Sequence, residues 1–183
     1  MSTSYVIIHT VLAALWLMLP AYFPNSTAAL VKGNLPLDFG KNFVDGRRIL
    51  GDGKTYRGFI VGAFSGILVG LFQNVLIRIY NPFAMPYLNI IGIICLSFGS
   101  MFGDTAASFV KRRIGLDRGE LFPFVDQLDF VAGGWLLLLI FARDWFLEVF
   151  TLQIIIAALI ITPLLHVSIN RMAYKIGRKD VPW

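Results

Sequence analysis

Charge is scarce in this chain. Of 183 residues only 15% are Asp, Glu, Lys or Arg, against 57% hydrophobic, and no charged residue occurs in 1–31 or in 82–103. Such a composition lies outside the soluble range and indicates an integral membrane protein. The uncharged start lacks the basic n-region of a cleavable secretory signal, so the first apolar stretch is expected to be retained. Cysteine is nearly absent: Cys95 stands alone, which excludes an intrachain disulfide, and its apolar setting makes it a packing residue. The two histidines, His9 and His166, lie in apolar segments without nearby acids. No His or Cys cluster has zinc spacing and no Ser, His and Asp arrangement is evident. No internal repeat or low-complexity segment interrupts the chain, so a single domain over 1–183 is expected.

A bilayer core needs about 20 apolar residues per helix. Five stretches meet or approach that length, at about 4–23, 58–79, 87–107, 130–147 and 150–169. The predicted fold class is therefore all-α, a polytopic transmembrane protein with about five spans. The fourth works only if Arg143 and Asp144 reach the far interface, with Arg143 snorkelling. Pro20 and Pro24 are expected to end or kink the first span, and Pro163 to kink the last. Gly58, Gly62, Gly66 and Gly70 recur at every fourth position, a smooth helix stripe that suits close packing and permits a homodimer.

Five spans place the termini on opposite sides, with the loops at 32–57 and 108–129 on the same side as the tail from 170. Fourteen of the sixteen Lys and Arg fall there, and the positive-inside rule makes that side cytoplasmic. The N-terminus is then outside and two polar loops face the cytosol. The net charge of +5 is gathered beside apolar segments rather than on a basic soluble domain, which argues for anionic headgroups or an anionic substrate and against nucleic acid.

Three polar constellations stand out. In "GDTAASFVKRR", a third helix reaching Arg113 would carry Asp104, Ser108, Lys111 and Arg112 on one face. Asp104 then needs a metal ion or a cation from another helix, unless it simply meets water at the helix end. In "FPFVDQLDF", Asp126 and Asp129 are one turn apart, and two like charges so close favour an intervening divalent ion, most simply Mg²⁺; an N-cap role for Asp126 is the plainer alternative. In "DFGKNFVDGRRILGDGKTYRG", glycines alternate with Lys41, Arg47, Arg48, Lys54 and Arg57, as a polyphosphate cradle would require, or as a basic membrane-surface loop would. The "GDGKT" there lacks P-loop spacing. In "PAYFPNSTAAL", Asn25, Ser26 and Thr27 either contact a substrate or cap the next helix.

Together, "GDTAASFVKRR", the later "DQLD" and the upstream "GKTYRG" resemble the membrane cytidylyltransferases that make CDP-activated phospholipids. Asp104, Ser108, Lys111, Arg112, Asp126 and Asp129 match that family's motif one by one, and Lys54, Thr55 and Gly58 match its upstream element. The chain is shorter than the bacterial phosphatidate enzymes and has "GELFPFV" where they carry a His-Gly-Gly element. In both respects, and in "PAYFPNS" and "GKNFVDGRRILGDGKT", it is more similar to the compact CDP-archaeol synthases over nearly its whole length. The resemblance implies transfer of CMP from CTP to the phosphate of a digeranylgeranyl glycerol phosphate, with pyrophosphate released and Mg²⁺ required. It implies catalytic roles for Asp104, Asp126 and Lys111, and metal ligation by Asp104, Asp126 and Asp129. Substrate contacts would come from Asn25, Ser26, Lys41, Asn42, Lys54, Thr55, Ser108, Arg112 and Arg113. The enzyme would sit in the cell membrane with its active site facing the cytoplasm.

The competing readings are a CTP-dependent polyprenol kinase, a CDP-alcohol phosphotransferase and a small transporter. The phosphotransferase would need four aspartates in one tight motif. A transporter would carry its acids mid-span, whereas here they collect at one face.

Overall fold

The computed structural model describes residues 3–31, 33–117 and 119–177. Lys32, Arg118, Arg178 and Lys179, which entered the loop and tail charge count, lie outside them. Six helices follow one another: α1 (Thr3–Leu30), α2 (Tyr56–Ile79), α3 (Ile90–Arg113), α4 (Val125–Phe141), α5 (Arg143–Val149) and α6 (Leu152–Lys175). No strand occurs among the described residues; two isolated bridges, Pro36 to Thr55 and Asn42 to Arg48, pin the first loop.

Among the described residues, four helices are long and apolar enough to cross a membrane: Thr3–Leu30, Tyr56–Ile79, Ile90–Arg113 and Leu152–Met172. The fourth expected span is different. At Ala142 the backbone leaves the helical region (φ −143°, ψ 38°), so the stretch divides into the 17-residue α4 and the 7-residue α5. At 17 residues, α4 lies at the lower end of the length a span needs.

The first span also departs from expectation. It does not end at its prolines but runs to Leu30 with Pro20 and Pro24 inside and buried. Proline costs a helix one backbone hydrogen bond and crowds the preceding turn, and the compensation here is packing. α2 lays its glycine stripe against this part of α1: a Cβ on Gly62 would stand 2.8 Å from the Pro24 carbonyl oxygen, and one on Gly66 would collide with that of Pro20. One step further, Gly58 faces Ala28. Each four-residue step back along α1 matches a four-residue step forward along α2, so the helices are antiparallel and in register. Gly70 packs on Ile93 of α3. The stripe that would have permitted a homodimer is thus covered within the chain.

A second glycine crossing joins α3 to α4. A Cβ on Gly99 would lie 2.6 Å from the Gly133 carbonyl oxygen, and one on Gly103 would overlap the Asp129 carbonyl oxygen. Only hydrogen atoms fit between these backbones. Around the crossing, Leu96, Phe130, Val131 and Leu138 are buried with Leu17 and Met18 of α1.

Candidate active site

The residue after Gly103 is Asp104, and the carbonyl that Gly103 touches belongs to Asp129. The α3–α4 crossing therefore sets acids from two helices beside each other at one end of the bundle. The third helix does continue to Arg113, which carries Ser108, Lys111 and Arg112 onward from Asp104.

Asp104 does not simply meet water. Its Oδ2 is ion-paired with Lys54 Nζ, from the loop ahead of α2. Asp126 is held the same way by a cation from α3: Lys111 Nζ lies 2.9 Å from its Oδ2, with the Phe122 amide donating to the same oxygen at 3.1 Å. The N-cap alternative for Asp126 fails, because Phe124 occupies that position (φ 63°) without a side-chain cap. Asp129 Oδ1 accepts from the Phe130 amide at 2.6 Å.

Two cavities meet here. A polar one of about 630 Å³ is lined by Arg47, Arg48, Ser108, Lys111, Arg112 and the Gly51–Lys54 loop. An apolar one of about 730 Å³ opens among α1, α2, α3 and α6, with Asp104, Asp126, Thr55, Asn25 and Ser26 in its wall. Gly53 and Lys54 belong to both. The polar face of α3 is therefore divided: Asp104 looks into the apolar cavity, while Ser108, Lys111 and Arg112 look into the polar one.

The first loop is shaped by Asp38, which the motif reading passed over. Its buried carboxylate accepts from the amides of Gly40, Leu50 and Gly51 at 2.9–3.0 Å and pairs with Arg48 at 2.8 Å. Burial alone would push this carboxyl up, but the hydrogen bonds from Arg48, Gly51, Leu50 and Gly40 outweigh it and hold Asp38 well below the usual carboxylate range. The result is a fixed Gly51–Lys54 turn that delivers Lys54 to Asp104.

The remaining expected site residues separate by location. Thr55 is buried as the N-cap of α2, accepting from the Gly58 amide at 3.1 Å. Asn25 and Ser26 lie inside α1, so they do not cap α2. Ser108 Oγ donates to the Asp104 carbonyl at 2.9 Å. Arg112 donates to the Leu116 carbonyl. Arg113 turns away from both cavities: it pairs with Asp45 at 2.5 Å, donates to the Arg47 and Arg48 carbonyls, and lies over the Phe43 and Phe109 rings at 4.8 and 5.1 Å. It ties the loop to α3. Lys41 and Asn42 are exposed and outside both cavity linings.

For a metal ion, the donor chemistry suits Mg²⁺: Asp104 and Asp126 bring hard carboxylate oxygens from facing helices to the apolar cavity, while Asp129 lies outside both cavity linings. Among the described residues no three acidic, His or Cys side chains converge closely enough to hold an ion alone. Mg²⁺ commonly takes one or two carboxylates and fills its shell with water and substrate phosphate.

Residues 7–183 match the model of the CarS-like family, described as CDP-archaeol synthase. The chain belongs to this family. It is 49% identical over 166 residues to the CDP-archaeol synthase of Methanoregula boonei and 50% identical over 174 residues to that of Methanocella arvoryzae; each alignment covers 91% of this chain and all of the relative. With the Archaeoglobus fulgidus CDP-archaeol synthase the identity is 44%, over 94% of this chain and 98% of the relative. In three dimensions it is similar, with a TM-score of 0.71 and 34% identity, to a solved intramembrane enzyme for archaeal membrane lipid biosynthesis, over 87% of this chain and 94% of that one. A multi-pass, all-helical membrane enzyme follows from these matches and from the apolar helices.

The family motif accounts for the acids and the cations of α3, but not for Asp38, nor for the inner wall of the apolar cavity. Tyr22, Thr162, His166 and Asn170 stand in that wall. Their signal was in the sequence: Thr162, His166 and Asn170 recur every four residues in a largely apolar helix.

Proposed function

We propose that this chain makes CDP-archaeol, transferring CMP from CTP to the phosphate of 2,3-bis-O-(geranylgeranyl)-sn-glycerol 1-phosphate. One observation carries the reading beyond family membership: a cation-lined cavity and an apolar cavity share Lys54, beside Asp104. A hydrophilic triphosphate and a two-chain lipid phosphate need separate sites that touch at the reacting atoms. A polyprenol kinase would bind the same nucleotide, but nothing in the two cavities favours it.

In the reaction, a lipid phosphate oxygen attacks the α-phosphorus of CTP. The new P–O bond forms as the bond from that phosphorus to the α–β bridging oxygen breaks, and pyrophosphate leaves with the electron pair. The nucleophile is already an anion, so no protein base is required. Arg48, Lys111 and Arg112 neutralise the triphosphate and hold it in line, which is most of what phosphoryl-type transfer asks of a protein. Lys54, lining both cavities, draws the two anionic substrates together. Asp104 and Asp126, with Asp129 beside them, would hold Mg²⁺, which when bound supplies charge neutralisation on the triphosphate. The positive-inside rule, applied to the dense cations of the loops, supports a cytoplasmic orientation for this site.

The test uses purified protein with CTP, Mg²⁺ and, separately, the unsaturated diether glycerol phosphate, phosphatidate and a free polyprenol. The expected products are pyrophosphate and a CDP-lipid from the diether substrate. CDP with a phosphorylated prenol would replace this reading with the kinase.

A further inference from the structure

α6 is apolar enough to cross a bilayer, yet it carries Thr162, His166 and Asn170 at four-residue spacing. That spacing puts them on one face, and all three line the 730 Å³ cavity opposite Tyr22 and Asn25 of α1. Thr162 is 1% exposed and Asn170 8%. The Tyr22 and Thr162 hydroxyls are 2.8 Å apart, and the Asn170 side-chain nitrogen lies 3.2 Å from Nδ1 of His166. Asn25 Oδ1 is buried with no hydrogen-bond partner.

Polar groups inside a membrane helix are costly unless something pairs with them. Helix-to-helix adhesion is one explanation, and Tyr22 with Thr162 satisfies it. It does not explain Asn170, whose contact is to its own helix. The position along α1 is informative. Gly58, next to the Thr55 cap and the Lys54 cation, faces Ala28, so the Tyr22–Leu30 part of α1 stands at the level where a lipid phosphate would meet Lys54. Leu15 and Leu19, further from that end, make the cavity apolar where hydrocarbon chains belong.

We propose that the Thr162, His166 and Asn170 stripe, with Tyr22, is the subsite that reads the glycerol neck of the lipid, the oxygen-bearing carbons between its phosphate and its chains. Glycerol ether oxygens only accept hydrogen bonds, and hydroxyl, imidazole and amide groups supply donors. A site built to hydrogen-bond an oxygen rejects an analogue lacking it, because its buried donors are then left unpaired. The inference rests on the activity proposed above.

The experiment compares wild type with His166→Leu, Asn170→Leu and Asn170→Gln in detergent. It measures KM for the diether glycerol phosphate, KM for CTP, and the Tm shift given by the lipid phosphate alone. Wild type is also compared on a prenyl phosphate that lacks glycerol. The leucine variants are expected to raise the lipid KM about tenfold, the loss of about one hydrogen bond. They should shrink the lipid-induced Tm shift, leave the KM for CTP in place and lose preference for the glycerol-bearing lipid; Asn170→Gln keeps most of each. An unchanged lipid KM overturns the proposal, as does a joint rise of both KM values with a lowered Tm in the absence of ligand, which would mark the stripe as packing. Should the leucine variants not fold, Asn170→Ser carries the same expectation. No CDP-lipid from wild type would instead overturn the activity itself.

Discussion

Lys54 and Asp104, fifty residues apart, form an ion pair at the point where the polar and the apolar cavity join. Lys111 and Asp126 repeat the arrangement between α3 and α4. Asp104 and Asp126, both suited to a metal, each already face a cation suited to a phosphate. Bringing a metal-bound triphosphate to this place lets both partners exchange like for like, carboxylate to metal and ammonium to phosphate, without exposing an unpaired charge.

Asp104→Asn and Asp126→Asn keep side-chain shape and lose the charge. Turnover is expected to fall at least about 100-fold in each, with helicity by circular dichroism and elution in detergent unchanged. Arg143→Ala is the control. Arg143 opens α5, whose Trp145 packs on Gly92 at the other end of α3 from Asp104, so its rate should stay near that of wild type. A near-normal rate in either aspartate variant would remove that residue from the metal assignment.

Lys54 lines both cavities and Arg112 only the polar one. Lys54→Ala is therefore expected to raise KM for CTP and for the lipid phosphate together, and Arg112→Ala that for CTP alone, each by about tenfold or more for a charge-assisted contact. Steady-state kinetics varying each substrate in turn separates the two patterns.

The α3–α4 crossing ties stability to the position of the acids. Gly103→Ala would drive a methyl group into the Asp129 carbonyl; overpacking of this kind costs about 1–3 kcal/mol and moves Asp104 relative to Asp129, so Tm and activity should fall together. At Gly134 a Cβ meets nothing nearer than Leu96 Cδ2 at 3.4 Å, and Gly134→Ala should leave both almost unchanged. Thermal unfolding beside an activity assay distinguishes the pair.

Asp38 predicts how the first loop responds to acid. Its folded-state carboxyl is held below the usual range by the hydrogen bonds it accepts, so the stability it contributes is fully present above the unfolded value of about 3.9 and is lost only as pH falls through the lower folded value. Amide exchange at Gly40, Leu50 and Gly51 should thus stay protected, after correction for intrinsic rates, from neutral pH down to about pH 4. In Asp38→Ala, which removes the carboxylate these amides donate to while Arg48 keeps Asp52, the same amides should lose protection at all pH values.

Much of this was legible in the chain. Uncharged runs located the main helices, and α3 does run on past the expected span to Arg113, the condition under which Asp104, Ser108, Lys111 and Arg112 share a face. Of the two outcomes expected for Pro20 and Pro24, the ending does not occur: a facing glycine stripe lets two backbones touch, and the helix runs on to Leu30. Gly99 and Gly103, a small-residue pair at the same spacing, went unremarked beside the longer stripe on α2, although this pair positions the acids. Asp38 and Arg113 act through contacts across tens of residues, and local spacing carries no sign of such pairings. The Ala142 break has no proline or glycine to mark it, so an apolar stretch that continues through it reads as one span.

The most direct test of the central claim is the fate of the CTP phosphates. Purified protein is given the unsaturated diether glycerol phosphate with CTP labelled in the α-phosphate, and in parallel with CTP labelled in the γ-phosphate. The account predicts α-label in the lipid product and γ-label in pyrophosphate. Label from the γ-phosphate in the lipid, with CDP released, would contradict it.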